Sequence, residues 1–121
     1  MGQYVKVFVV PRGTRDRVIK SFVSYRQGAL RPYYEGELTM PAKSGGLFVP
    51  DYDDDRDVWV TTAERWLEII AAFRQDVATD SEVSDATGLS SPGPIYEDDC
   101  TWWLKQQKRI DDIEIVITEE T

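Results

Sequence analysis

The stretch "TTAERWLEIIAAFRQDV" (residues 61–77) is the clearest structural signal in the chain. Trp66, Leu67, Ile70, Phe73 and Val77 recur at three- and four-residue spacings, which places them on one stripe of an α-helix. Thr61 followed three residues later by Glu64 has the form of a capping box, in which each side chain satisfies a free backbone N–H of the first turn. Such a stripe is normally core, so something must cover it. The segments on either side supply strands.

"QYVKVFVVP" (3–11) is rich in β-branched and aromatic residues, is apolar on both faces at its end and stops at a proline, as a central strand does. "IEIVIT" (113–118) reads as the last strand and "DVWV" (57–60) as a short one. "RPYYEGELTMP" (31–41) alternates between prolines and is read as an edge-tolerant strand; "KSGG" then turns the chain and "LFVP" (47–50) is a further short strand. Two segments are ambiguous. Between 14 and 26, Val18, Ile19, Phe22 and Val23 share a helical face that Thr14 would cap, and the helix is preferred. Against it stand Arg15 and Arg17 at the positive end of the dipole, and an alternation that also suits a strand. "CTWWLKQQ" (100–107) is read as a strand turning at "KRIDD"; the alternative is a helix over 97–109, with acids first and bases last. Residues 78–95, dense in Gly, Ser, Pro, Asp and Thr, form a long loop. There is no internal repeat. The expected class is α+β: a mainly antiparallel sheet of about five or six strands with one or two packed helices, in a single domain over 1–121.

Composition agrees with this. The 121 residues are 41% hydrophobic and 12% aromatic, enough to bury a core without metal or disulfide. One cysteine, Cys100, permits no internal disulfide. No apolar run approaches the roughly 18 residues a membrane-spanning helix needs. The amino terminus reads as a strand and not as a signal peptide, and Lys6 stands where a myristoylation motif after Gly2 requires Ser or Thr. The expectation is a soluble cytoplasmic protein without a membrane partner.

Charge is distributed unevenly. Residues 1–50 carry 8 basic and 3 acidic side chains, whereas residues 51–121 carry 6 basic and 19 acidic ones. Either the two halves face each other and partly neutralise, or the second half presents a negative surface to a basic partner.

The chain has no histidine, which excludes a Ser-His or Cys-His relay. It has no GxSxG motif, phosphate-binding glycine loop or dinucleotide fingerprint. Cys100 follows Glu97, Asp98 and Asp99, whose charge disfavours the thiolate. Neither a catalytic residue nor a cofactor is expected, although a small carboxylate- or metal-dependent enzyme is one alternative. In "PDYDDDRDVW" (50–59), Asp51, Asp53, Asp55 and Asp57 repeat the odd-position oxygens of a calcium loop. Arg56 occupies the turn glycine's place and Thr62 that of the closing glutamate, so no metal is expected.

Arg12, Arg15, Arg17, Lys20, Arg26 and Arg31 lie near Tyr25, Tyr33 and Tyr34, a composition that suits a nucleic-acid or phosphate groove. No recognised motif supports that alternative and the overall charge of -8 opposes it. The favoured expectation is a non-enzymatic acidic binding protein that inhibits a basic, often nucleic-acid-handling, protein. A toxin-neutralising immunity protein and a phage anti-defence inhibitor are the two forms considered. Its expected partner-binding residues are Asp51, Tyr52, Asp53, Asp54, Asp55, Asp57 and Trp59, followed by Tyr96, Glu97, Asp98, Asp99, Trp102 and Trp103. Here aromatic rings serve as anchors and carboxylates steer the encounter. If Trp102 and Trp103 lie in a strand, one ring is buried and the other exposed.

Overall fold

The computed structural model describes residues 4–13, 17–24, 27–41, 57–80, 82 and 99–120. In chain order they form β1 (Tyr4–Pro11), β2 (Lys20–Ser24), α1 (Gln27–Tyr34), β3 (Leu38–Pro41), β4 (Asp57–Thr62), α2 (Ala63–Thr79), α3 (Asp99–Lys105) and β5 (Ile113–Glu120). The strands make a five-stranded sheet in the order β2-β1-β5-β4-β3, and every neighbouring pair is antiparallel. The α+β class and the antiparallel sheet are as expected. Last in sequence, β5 is central in space, pairing with β1 from Tyr4↔Glu120 to Pro11↔Ile113.

That position explains why β1 and β5 read as nearly continuous apolar runs: both of their faces are covered. On one face Val5, Val7 and Val9 of β1 and Ile113, Ile115 and Ile117 of β5 pack with residues of all three helices. The helices contribute Leu30 and Tyr34 from α1, Trp66, Ile70, Phe73 and Val77 from α2, and Cys100 and Leu104 from α3. Phe8, Val10, Val58, Val60 and Val116 form a second buried cluster, with Val18 and Met40 partly buried against it. A strand alternates its side chains between faces, so burial on both sides requires apolar residues at successive positions.

The helix of 61–77 is present, one residue out of register at its start. Thr62 is the N-cap, its Oγ1 accepting from Arg65 N at 3.1 Å. Thr61 remains in β4, where it is buried and its hydroxyl donates to Glu37 Oε1 at 2.8 Å. Glu64 therefore lies one position too early to complete a capping box. At its other end α2 runs to Thr79, past the expected start of the long loop.

Three expected elements are corrected. Within 14–26 the structure has a strand, β2, paired to the outer edge of β1 from Val5↔Ser24 to Val9↔Lys20. Phe22 turns toward the helices while the adjacent Val23 is exposed, an alternation that the helical reading of the same residues obscured. Within 31–41, helix α1 ends at Tyr34 and only Leu38–Pro41 is strand. The helix forms because Leu30 and Tyr34, four residues apart, are both fully buried, while Pro32 lies on the exposed side. Finally, 100–107 is not a strand: α3 occupies Asp99–Lys105, inside the range of the helical alternative. The strand expected at 47–50, the aspartates at 51–55 and residues 83–95 lie outside the described residues.

After β1, Gly13 turns the chain at φ +88°, a left-handed conformation that costs glycine little. Its N–H donates to Glu114 Oε1 at 3.4 Å, and Ile19 N returns to Val9 O at 2.8 Å. The link between β1 and β2 is thereby tied to the end of the sheet where β5 begins.

Candidate functional site

Of the expected partner-binding residues, Asp51, Tyr52, Asp53, Asp54, Asp55, Tyr96, Glu97 and Asp98 lie outside the described residues. The others fall at two places. Asp57 and Trp59 are on β4, the fourth strand in the sheet order; Asp99, Trp102 and Trp103 are on α3, which packs against β2 and α2. Among the described residues the candidates thus sit on two elements, β4 and α3, and in the sheet β1 and β5 lie between β4 and the strand that α3 packs against.

On β4, Asp57 is exposed and Trp59 is half-buried. Trp59 shares the helix-side face with Ile117, its partner on β5. Its ring is already occupied. Tyr34 meets it edge-on, with ring centroids 5.2 Å apart and planes at 75°, and the Arg31 guanidinium carbon lies 4.9 Å from its centroid. Both of those residues also hold Glu119. Arg31 Nη1 is 3.0 Å from Oε2, and the Tyr34 hydroxyl donates to Oε1 at 2.8 Å. Burial, and then the bond to Glu119, push the Tyr34 phenol well above its ordinary range, so it remains a neutral donor. Trp59 is thus a constituent of a packed cluster with Arg31, Tyr34 and Glu119, and keeps part of its surface exposed.

Helix α3 presents a different arrangement. Cys100, Thr101 and Leu104 face the core, Asp99 in the first turn and Lys105 in the last are exposed, and both charges suit the helix dipole. Successive residues of a helix point about 100° apart. The two tryptophans accordingly separate, though for a helical reason and not the strand alternation expected. Trp103 is half-buried, its ring 6.3 Å from that of Phe22 on β2. Trp102 is 57% exposed. Among the candidate aromatics described, it alone presents most of its surface to solvent. Cys100, at 1% exposure, is inaccessible as a nucleophile.

The two oppositely charged halves do meet. Arg31 with Glu119 is such a pair; Arg65 of the second half also crosses to Glu37 of the first at 3.3 Å, and pairs within its own half with Glu68 at 3.0 Å. Arg12 spends its guanidinium on the backbone oxygen of Asp111 at 2.9 Å. These contacts bear on the nucleic-acid alternative. Tyr34 is fully buried, and half-buried Tyr33 donates to Asp76 while meeting Phe73 edge-on at 5.5 Å. Tyr34 therefore has no open face for a base to stack on, and the Tyr33 hydroxyl is committed within the protein. Arg17 and Lys20 are exposed; Arg15, Tyr25 and Arg26 lie outside the described residues.

The cluster around Trp59 was not legible in the sequence. Arg31 and Tyr34 are one helical turn apart, but the helix itself was misread, and their carboxylate is 88 and 85 residues away.

Among the described residues no group of three or more His, Cys, Asp or Glu side chains is placed to hold a metal ion, and no helix is long and apolar enough to cross a membrane. No family model matches the chain, and comparisons with curated proteins and with solved structures find no match.

Proposed function

We propose that the protein is a non-enzymatic, acidic binding protein of the cytoplasm that captures and thereby inhibits a basic partner protein. A nucleic-acid-handling partner is favoured, and immunity toward a toxin or counter-defence by a phage are the biological settings that suit such an inhibitor. The observation that carries this reading is Trp102, 57% exposed on α3, three residues after Asp99, the last of the acidic run Glu97, Asp98 and Asp99. A large aromatic beside carboxylates combines the two properties of a fast and durable interface. The ring supplies about 2 kcal/mol or more when it fills a partner's pocket, and the charges raise the encounter rate. The overall charge of -8 acts in the same direction.

The division of labour between charge and ring gives the test. The tagged protein is used to capture its partner from an extract of the source cells, and association of the purified pair is followed over a range of salt. The triple variant Asp53→Asn, Asp54→Asn, Asp55→Asn is expected to associate more slowly and with a flatter salt dependence, while dissociating at the wild-type rate. An association rate for the wild type that does not respond to salt would remove the electrostatic half of the proposal. Capture of nucleic acid in place of a basic protein would replace it altogether.

A further inference from the structure

At the end of the sheet where β1 finishes and β5 begins lies a cavity of about 290 Å³. Four stretches of chain form it: the end of β1, the segment leading into β2, the C-terminal half of α3 with its following turn, and the start of β5. Its apolar lining is Pro11, Ile19, Ile113 and the indole of Trp103. The ring is backed by Phe22, and Ile19 is held in place by its N–H bond to Val9 O. The Trp103 ring is thus supported from within the fold, and the Ile19 main chain is tied to β1.

The polar lining consists of Arg17, Gln107, Arg109 and Asp112, and their existing bonds determine what each can still do. Arg109 is bidentate on Asp111, at 3.2 Å from Nε and 3.0 Å from Nη2, so its charge is matched within the protein. Gln107 donates one of its two amide N–H groups to the carbonyl of Trp103 at 3.0 Å, which leaves its second N–H and its Oε1. None of the ion pairs among the described residues uses Arg17 or Asp112, and both are exposed. The Asp112 main chain is fixed by Arg12 N at 2.9 Å. What remains for a ligand is one cation, one carboxylate and a neutral amide with one donor and an acceptor, beside apolar side chains.

We propose that this cavity binds a small zwitterion with an apolar body, the chemical class of a free α-amino acid with an aromatic or large aliphatic side chain. Arg17 receives the carboxylate, Asp112 and Gln107 Oε1 receive the ammonium, and the side chain lies on Trp103 between Ile19 and Ile113. Size and charge both favour this class. Ligand sites usually span about 300–1,000 Å³, so the cavity is at the small end. Arg17 and Asp112 bring opposite charges to the site with no ion pair to either among the described residues, which suits a zwitterion, whereas the two negative charges of a mononucleotide exceed the single net positive charge of the lining residues Arg17, Arg109 and Asp112.

The test is a heteronuclear NMR titration of the intact chain with L-phenylalanine, 3-phenylpropionate, phenethylamine and adenosine monophosphate. Phenylalanine is expected to give saturable shifts at the Trp103 indole N–H and at the Ile19 and Ile113 methyls, leaving Trp102 unmoved. Each singly charged analogue should bind at least about tenfold more weakly, the loss expected from one charge-assisted contact. Arg17→Gln should abolish the preference over phenethylamine, and Asp112→Asn the preference over 3-phenylpropionate. Both positions are exposed, so these variants keep the fold. Absence of saturation at millimolar phenylalanine, or tighter binding of either the monoacid or the nucleotide, would overturn the assignment.

Discussion

Replacing Tyr34 with Phe removes one oxygen from the centre of the Arg31–Trp59–Glu119 cluster and leaves the ring packing intact. The hydroxyl is buried and donates to Glu119 Oε1 at 2.8 Å. A hydrogen bond to a charged acceptor is worth about 1.5–3 kcal/mol. The lower part of that range applies here, because Glu119 keeps Arg31 at 3.0 Å on its other oxygen and retains some contact with water. The expected loss is about 1.5–2 kcal/mol. Unfolding entropy near 60 °C is about 2.1 cal/mol/K per residue, so for 121 residues it is about 0.25 kcal/mol/K, and the melting midpoint should fall by about 6–8 °C. Calorimetry and urea unfolding of the two proteins measure this directly, and an unchanged urea slope would show that the native and unfolded ensembles are otherwise alike. A change below about 0.5 kcal/mol, the range typical of a surface substitution, would mean that the Tyr34 hydroxyl does not hold Glu119.

Thr62→Ala should cost about 1 kcal/mol by removing the N-cap of α2, measured by urea unfolding, while Thr62→Ser keeps the capping oxygen and should cost only a few tenths; equal losses for the two variants would mean that Thr62 does not cap the helix. Above pH 10 stability should fall as pH rises. Tyr33 is pushed up to about 12 by burial and by Asp76, and Tyr34 higher still, so the folded chain retains protons that the unfolded chain, with phenols near 10, has lost. The contribution is complete below pH 10 and is lost as pH passes through the folded values; a flat stability profile from pH 9 to 11.5 would contradict it. Melting with chelator and with millimolar Ca²⁺ should give the same midpoint, whereas a calcium site filled at 100 times its dissociation constant would add about 2.7 kcal/mol.

The elements that could be read from sequence are those whose pattern is dictated by a single strong constraint. In α2, burial at Trp66, Ile70, Phe73 and Val77 imposes a helical period that no other structure satisfies. In β1 and β5, burial on both faces imposes continuous β-branched residues. The misread segments carry weaker and mixed patterns. Val18, Ile19, Phe22 and Val23 suit a helix as well as a strand, and what selects the strand is the exposed edge of β1, a partner that the local sequence does not reveal. In α1 the decisive pair, Leu30 and Tyr34, was masked by Pro32, a residue that opposes a helix interior and is overridden here by burial. For the candidate site, the prominence of the aromatics was legible and their roles were not. Trp59 is half-buried under Arg31 and beside Tyr34 because β4 lies over the end of α1, whereas Trp102 is exposed because the residues on either side of it in α3, Thr101 and Trp103, turn toward the core. Both facts depend on the packing of helices whose positions the sequence does not specify.

Whether Trp102 anchors a partner is measured most directly by the dissociation rate of the captured complex. Trp102→Ala alters a side chain that is 57% exposed, so folding stability should stay within about 0.5 kcal/mol of the wild type. The complex should dissociate about 30-fold faster, the equivalent of about 2 kcal/mol, with little change in association rate. A dissociation rate within twofold of the wild type, from a variant of wild-type stability, would show that α3 is not the surface that binds.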